Sequence, residues 1–104
     1  MRRHIYNFNF KDDVSDEQYS EIYSAFEDEF NANPGMIHFS MGKNISESKR
    51  PMKFNTIMTM DFEDYKSFRD YEDNDNHQAI KLLLHEAIDG IMGTDYDVGE
   101  TPQS

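Results

Sequence analysis

The segment Met52–His77 constrains the fold more than any other part of the sequence, because it joins three patterns of different period. Apolar and polar residues alternate over Phe54–Asp61, which predicts a half-buried strand. Aromatic residues then recur at every third position up to Tyr71, which predicts a short helix over Phe62–Tyr71. A polar break follows and delivers His77 to the first turn of the next helix. If both helices pack on the strand, Tyr71 and His77 point into one pocket.

The first part of the chain predicts a strand, a helix and a second strand. Residues alternate over Arg3–Phe10, and one side of this segment is aromatic and therefore the covered side. Ser15 begins a helix as its N-cap, and Gln18 completes a capping box. The helix stops at Asn33-Pro34-Gly35. Alternation over Met36–Asn44 predicts the second strand.

The second half of the chain predicts two helices and a last strand. Asp61 is the expected cap of the short helix, and Asn76 is the expected cap of a helix from His77 to about Asp89. Gly90 is expected to close that helix. The segment Ile91–Val98 then forms the last strand.

This order of elements predicts an α+β domain with the ferredoxin-like βαββαβ topology, a four-stranded antiparallel sheet with helices on one face. The domain spans residues 1–98, because 104 residues are too few for two ordinary cores. A polar loop over Ile45–Pro51 joins two strands, and residues 99–104 form a frayed tail. The face without helices can stay in water or meet a second copy of itself. Its predicted members are Ile5, Asn7, Asn9, Met36, His38, Ser40, Asn55, Ile57, Thr59, Asp95 and Asp97.

The strong negative charge argues against two classes of partner. Acidic residues outnumber basic ones by 21 to 10, which gives a formal net charge of −11. A field of that sign repels nucleic acids and anionic membrane surfaces. A well-hydrated surface explains the acidity, with Asp12-Asp13 and Glu27-Asp28-Glu29 as solvated faces, and a high-salt habitat also fits. Without cysteine, and without an apolar run near the ~20 residues that span a bilayer, we expect a cytoplasmic protein with no disulfides.

Several short motifs occur in a fixed order along the chain. They are His4 at the start of a strand that ends Phe8-Asn9-Phe10-Lys11, the turn Gly42-Lys43-Asn44, the segment Thr59-Met60-Asp61-Phe62-Glu63, Tyr71 six residues before His77, and Asp95-Tyr96. Together they resemble the stress-responsive dimeric α/β-barrel (Dabb) domain family over about residues 3–98. The resemblance implies a homodimer, in which two sheets close into a barrel with the helices outside. It also implies a pocket between sheet and helices in each subunit.

Members of the family differ in their roles. Several are known only as stress-responsive proteins, and one cyclises a linear polyketide to olivetolic acid by aldol condensation. The resemblance places a tyrosine and a histidine of that cyclase at Tyr71 and His77, and a pocket-lining histidine at His4. The chain departs from the family in two ways. Only the second histidine of a His-Pro-x-His motif is present, as His77, and a pocket histidine of the third strand is replaced by Thr56.

One functional hypothesis is a cofactor-free acid/base enzyme, similar to a polyketide cyclase or a lyase, that acts on a hydrophobic carbonyl or aromatic small molecule. His77 is its general base, because the first turn of a helix disfavours the imidazolium. Tyr71 hydrogen-bonds the substrate oxygen or the developing enolate. Further substrate-binding residues are expected to be His4, Tyr23, Phe26, Phe54, Thr56, Met58 and Leu84.

The other hypothesis is a non-catalytic, stress-responsive or ligand-sequestering protein, in which Tyr71 and His77 only pack. Neither hypothesis includes a cofactor or a metal, because the four histidines show no i, i+4 pairing and no cysteine supports them. Haem-degrading enzymes with a similar dimeric barrel rely on a pocket tryptophan, and this sequence has none.

Overall fold

The computed structural model describes residues 1–48 and 54–99, and these form four strands and three helices. The elements are β1 (Arg2–Phe10), α1 (Asp16–Ala32), β2 (Met36–Lys43), β3 (Thr56–Phe62), α2 (Tyr65–Asp73), α3 (Asp75–Ala87) and β4 (Ile88–Asp97). The end of the predicted polar loop, residues 49–51, and nearly all of the predicted tail, residues 100–104, lie outside the described residues. Within the described ranges, no helix is long and apolar enough to cross a bilayer.

The sheet confirms the predicted ferredoxin-like α+β fold. Its strand order is β2-β3-β1-β4, and all neighbours are antiparallel. The helices cover the face that carries Phe8 and Met58, and Phe26 and Tyr71 pack there with almost no exposed surface. Aromatic side chains therefore supply much of the buried area that holds the layers together.

The predicted capping box at the start of α1 is present. The backbone N–H of Gln18 donates to Oγ of Ser15 at 3.1 Å, and the Gln18 side chain accepts from the Ser15 backbone N–H at 3.4 Å. The helix continues to Ala32 and ends at Asn33, just before Pro34. One face of this 17-residue helix packs on the sheet, with Ile22 and Phe26 buried.

Two predicted helix caps are wrong, because each polar run offers more than one acceptor. Asp64, not Asp61, caps α2, accepting from the backbone N–H of Ser67 at 2.8 Å. Asp61 remains in β3, where it accepts from Nε of Arg3 at 2.7 Å. Asn74, not Asn76, caps α3.

The predicted end of α3 at Gly90 is also wrong. The helix ends at Ala87, and β4 begins at the next residue, Ile88, whose backbone N–H donates to the carbonyl of Leu84. Gly90 lies inside β4 and pairs with Asn9. A helix and a strand therefore follow each other without a loop.

Three residues predicted on the open face of the sheet lie on the other side. A bulge between Met36 and His38 shifts the alternation of β2, so that Met36 is buried and Ile37 is exposed. Asp95 pairs with His4, and Asp97 pairs with Arg2. Since cross-strand partners point to the same face, both aspartates lie on the side of His4.

Candidate functional site

Tyr71 and His77 meet where α2 gives way to α3. Their ring centroids are 4.6 Å apart and the ring planes are at 71°, an edge-to-face contact. The cap of α3 fixes this arrangement, because Oδ1 of Asn74 accepts from the backbone N–H of His77 at 2.9 Å. The two side chains that the sequence analysis paired are thus in direct contact, while their catalytic roles stay predictions.

Several polar atoms of this pair are buried without a hydrogen-bond partner. Tyr71 is 0 % exposed and His77 is 3 % exposed. Among the described residues, no partner is found for the hydroxyl of Tyr71, for either ring nitrogen of His77, or for Nε2 of His4. An unpaired buried polar group costs about 1–3 kcal/mol. Such a cluster is therefore unusual for a region that only packs.

The carboxylate of Glu72 lies between two imidazole rings. Its Oε2 is 3.3 Å from Nε2 of His77, and its Oε1 is 3.9 Å from Nε2 of His4. The shorter contact lacks the alignment of a hydrogen bond, since Nε2 of His77 has no hydrogen-bond partner in the described chain. On the far side of His4, Nδ1 is hydrogen-bonded to Oδ1 of Asp95 at 2.9 Å. The groups form a continuous line from β4 to α3.

Burial controls the proton equilibria of the pair. Burial lowers the pKa of His77 below its ordinary 6.5, and Lys81 and His4 act in the same direction, while Glu72 and Glu29 oppose them. The predicted neutral imidazole therefore has burial as its main cause. Burial also raises the pKa of the Tyr71 hydroxyl far above its ordinary value. At neutral pH, His77 can accept a proton and Tyr71 can donate a hydrogen bond.

Glu29 is a buried carboxylate that the sequence analysis assigned to a solvated face, and that prediction is wrong. It is 3 % exposed, and Oε2 accepts from Nδ2 of Asn74 at 3.0 Å. Its Oε1 has no partner among the described residues. The other residues of that acidic run, Glu27 and Asp28, are exposed as predicted.

Two cavities of the described chain lie away from the ring contact. One of about 380 Å³ opens beside the start of α1, and Thr56 and Tyr19 are among its lining residues. A smaller one of about 190 Å³ lies between α1 and α3 and is lined in part by Glu29 and Ile80. Neither includes Tyr71 or His77 in its wall. In this conformation the pair is closed, with Glu72 as its more exposed neighbour.

The comparison with protein families settles the resemblance. A sequence model of the stress-responsive A/B barrel domain (Dabb) matches residues 3–98. The chain belongs to the Dabb family. No curated protein matches the sequence.

Solved structures support the fold of this Dabb chain at low sequence identity. The protein At3g17210 from Arabidopsis thaliana is similar with a TM-score of 0.86 and 21% identity, covering 99% of this chain and 100% of its own. A hydroxynitrile lyase from Passiflora edulis has a TM-score of 0.82 and 18% identity, covering 98% and 96%. SnoaB from Streptomyces nogalater, a cofactor-independent oxygenase, has a TM-score of 0.73 and 10% identity, covering 96% and 94%.

The predicted substrate-binding residues of the Dabb chain separate into two ends of the sheet. His4 contacts the pair, with its ring centroid 6.4 Å from that of Tyr71. Thr56 pairs with Phe8, four residues along β1 from His4, which corresponds to about 13 Å. Phe54 is half-buried just before β3. The others are core or rim residues: Phe26, Met58 and Leu84 are buried, and Tyr23 packs on Phe39.

Sequence reasoning missed the carboxylates around the pair. Glu29 lies three residues after Phe26 and seven after Ile22, so helical spacing already placed it on the buried stripe of α1. Asp95 belongs to one of the sequence motifs, but its predicted face of the sheet is wrong. Nothing in the sequence singled out Glu72 among its acidic neighbours. In the described residues, no three potential ligands converge in a way that could hold a metal.

Replacing Asn74 by alanine should destabilise the fold by about 2–4 kcal/mol. The change removes the cap of α3, worth about 1 kcal/mol, and leaves the buried Glu29 carboxylate without its donor, at about 1–3 kcal/mol. Urea unfolding measures the loss. Asn76→Ala, an exposed residue in the same turn, is the matched control and should change stability little. Equal losses in the two variants would show that Asn74 contributes nothing special.

Proposed function

We propose that this Dabb protein is a cytoplasmic, cofactor-independent acid/base enzyme that binds a hydrophobic carbonyl or aromatic small molecule between sheet and helices. His77 is the base and Tyr71 is the hydrogen-bond donor to the substrate oxygen. His4 lines the same site. The substrate reaches the pair from the side of Glu72 and Asp95, whose side chains are 20% and 25% exposed.

The observation that carries the proposal is the direct contact of Tyr71 with His77, whose side-chain polar atoms have no hydrogen-bond partner in the part of the chain that the structure describes. A substrate oxygen near the Tyr71 hydroxyl and a substrate proton near His77 would supply the missing partners. The burial that keeps the imidazole neutral and the phenol protonated gives each group the form that its role requires.

The chemistry is proton abstraction followed by breaking or making a carbon–carbon bond. In an aldol cyclisation, His77 removes a proton from the carbon next to a carbonyl, Tyr71 hydrogen-bonds the enolate oxygen, and the enolate carbon attacks a second carbonyl. The imidazolium then returns the proton to the new alkoxide. In a cyanohydrin, His77 takes the hydroxyl proton, the bond to the nitrile carbon breaks with its electrons on cyanide, and the carbonyl forms. The proton then passes to cyanide.

The experiment tests both reactions on the purified protein. Mandelonitrile, an aromatic cyanohydrin, is followed by benzaldehyde absorbance, and a linear aryl tetraketide thioester is followed by mass spectrometry of cyclised products. Turnover of either one above the buffer rate is the expected result. Loss of that turnover in Tyr71→Phe, which retains the ring, assigns it to the pair. Turnover that persists in Tyr71→Phe would remove Tyr71 from the mechanism.

A non-catalytic role is the second candidate, and the burial of the pair favours it. Tyr71 and His77 touch edge to face and are almost inaccessible to solvent, so no substrate reaches them in this conformation. In that case both probes are inert. Tyr71→Phe should gain stability under either function, because it removes a buried hydroxyl that has no partner in the described chain. The turnover assay, and not thermal unfolding, therefore separates the two functions.

We further propose that the protein is a homodimer formed through the open face of the sheet. Ile5 and Ile57 are half-buried there beside the exposed Met92 and Tyr96. Two solved neighbours, from Thermobifida fusca and Jannaschia, are described as dimeric ferredoxin-like proteins. A sheet face of mixed polarity can be covered by its own copy around a twofold axis.

Ile5→Lys should convert the dimer to a monomer in sedimentation equilibrium, because it places two like charges at the centre of the covered face. Leu82→Lys is the matched control, since Leu82 is 72% exposed on α3 and lies on the helix side. A wild-type protein that sediments as a monomer would contradict the dimer, and so would an Ile5→Lys dimer of undiminished affinity.

A further inference from the structure

Glu72 is the side chain that lies between the two imidazoles, and neither the family match nor the sequence assigns it a role. Its two carboxylate oxygens point to different histidines, Oε2 to Nε2 of His77 at 3.3 Å and Oε1 to Nε2 of His4 at 3.9 Å. It follows Tyr71 directly on α2, so the same helix end delivers the phenol and the carboxylate. The Glu72 side chain is 20% exposed, while that of His77 is 3% exposed.

We propose that Glu72 is the positioning residue of His77: it accepts the Nε2–H of that imidazole and leaves Nδ1 as the atom that takes the proton from the substrate. This inference rests on the proposed function, in which His77 is the base. The ring nitrogens of a histidine are not equivalent, and the hydrogen bond made by one nitrogen decides which proton-accepting atom the other offers. A carboxylate at one nitrogen also stabilises the imidazolium that forms when the other accepts a proton.

His4, which is hydrogen-bonded to Asp95, lies next to the other carboxylate oxygen of Glu72. Asp95 is hydrogen-bonded to Nδ1 of His4, which fixes the ring so that Nε2 faces Oε1 of Glu72. Phe68 contacts the same ring, at 5.4 Å between centroids. Asp95, His4, Glu72 and His77 thus lie next to one another in this order, and Glu72 is the carboxylate of the row that approaches the His77 ring.

The contact between Glu72 and His77 is not yet an aligned hydrogen bond in this conformation. Catalytic hydrogen bonds are often long or poorly aligned before substrate binds, and they shorten in the complex. Because the two atoms are already 3.3 Å apart, rotation of the half-buried Glu72 side chain can align the contact.

The charged and titratable groups that face His77 come from four elements. They are Glu72 and Tyr71 on α2, Lys81 on α3, Glu29 on α1 and His4 on β1. Glu72 and Glu29 raise the pKa of His77, and Lys81 and His4 lower it. Removing the Glu72 charge should therefore move the acid limb of the kcat/KM profile to lower pH. Removing the Lys81 charge should move it to higher pH.

The test compares Glu72→Ala and Glu72→Gln with the wild type by long-range ¹H–¹⁵N NMR of the imidazoles, with the signals assigned through His77→Gln. We expect the Nε2–H tautomer of His77 in the wild type and in Glu72→Gln, which keeps an acceptor oxygen. We expect a mixture of tautomers in Glu72→Ala. Both variants should titrate at lower pH than the wild type. Asp70→Asn, an exposed carboxylate of α2 that pairs with Lys66, is the control and should leave tautomer and titration unchanged.

On a probe that the wild type turns over, kcat/KM of Glu72→Ala should fall by at least about tenfold. This loss is expected to be smaller than the 10²–10⁴-fold that a general base contributes. Lys81→Gln should shift the acid limb in the opposite direction to Glu72→Gln. The inference would be overturned if wild-type His77 were the Nδ1–H tautomer. It would also be overturned if the titration midpoint of His77 were the same in Glu72→Ala as in the wild type. These NMR measurements need no substrate, so they decide the role of Glu72 even if both probes prove inert and the proposed function fails.

Discussion

His77→Gln should lower kcat/KM on a turned-over probe by about 10²–10⁴-fold, the range that a general acid/base contributes. Glutamine fills much of the same space and keeps the backbone N–H that Asn74 caps. It cannot accept and return a proton at neutral pH. The loss should therefore appear mainly in kcat, while the midpoint of thermal unfolding changes little. Initial rates and a thermal scan on the same preparation measure both quantities.

The lowered pKa of His77 sets the direction of the expected pH dependence of activity and of stability. Burial lowers the pKa of His77 below 6.5, so the reactive neutral form persists to a lower pH than for a free imidazole. The acid limb of kcat/KM should lie below pH 6.5 and should vanish in His77→Gln. Stability follows the same linkage, because the unfolded chain binds a proton between the two pKa values that the folded chain does not. Stability should therefore fall as the pH falls from about 6.5 toward the lowered value.

His85→Gln is the matched control, because His85 lies in the last turn of the same helix and is exposed. It should retain wild-type turnover and the wild-type acid limb. If His77→Gln keeps full activity, or if His85→Gln loses as much, His77 is not the base and the acid/base mechanism is wrong.

Gly35→Ala should destabilise the protein by about 3 kcal/mol, at the upper end of the range for overpacking. A Cβ on Gly35 would overlap both Cβ and Oγ of Ser67 in the first turn of α2. The carbonyl of Gly35 also accepts from the backbone N–H of Glu63 at 2.8 Å, so the two segments cannot easily separate. For a domain of this size the loss corresponds to a fall of about 10–20 °C in Tm.

Two further variants isolate the steric cause. Gly42→Ala is the control, because no atom of residues 1–48 or 54–99 lies within 4 Å of a Cβ at that position, and its Tm should be close to that of the wild type. Adding Ser67→Gly to Gly35→Ala removes both overlapping atoms and should restore part of the loss, although glycine in a helix costs about 1 kcal/mol. If the double variant were no more stable than Gly35→Ala, the overlap with Ser67 would not be the cause of the lost stability. A Gly35→Ala variant as stable as the wild type would refute the clash.

The class of fold could be predicted from the sequence because its signals are periodic and repeated. The alternation of β1 and the capping box at Ser15 both have local causes, and both appear in the structure as expected. The meeting of Tyr71 and His77 was also accessible, since it needs only two short helices with a tight break between them.

The helix caps, the face of Asp95 and the surroundings of Glu72 depend on tertiary contacts, which the local sequence does not determine. Asn74 and Asn76 have the same intrinsic preference for a helix N-cap, and the hydrogen bond to Glu29 favours Asn74. The face of Asp95 follows from the register of β4 on β1, which one residue of slip inverts. The position of Glu72 beside both imidazoles depends on the packing of α2, α3 and β1, which no local sequence pattern predicts. Glu72 and the face of Asp95 were therefore out of reach of pattern reasoning, while helical spacing could have placed Glu29 on the buried stripe of α1.

The direct passage from α3 into β4 at Ala87 and Ile88 has a consequence for natural variation. One inserted residue there would turn the helix by about 100° and carry His77 off the sheet, or would flip the strand and take Asp95 away from His4. Length changes should be tolerated in the exposed stretch near Ile45 but eliminated at this junction. The length of this junction therefore fixes both the position of His77 on α3 and the face of the sheet on which Asp95 lies.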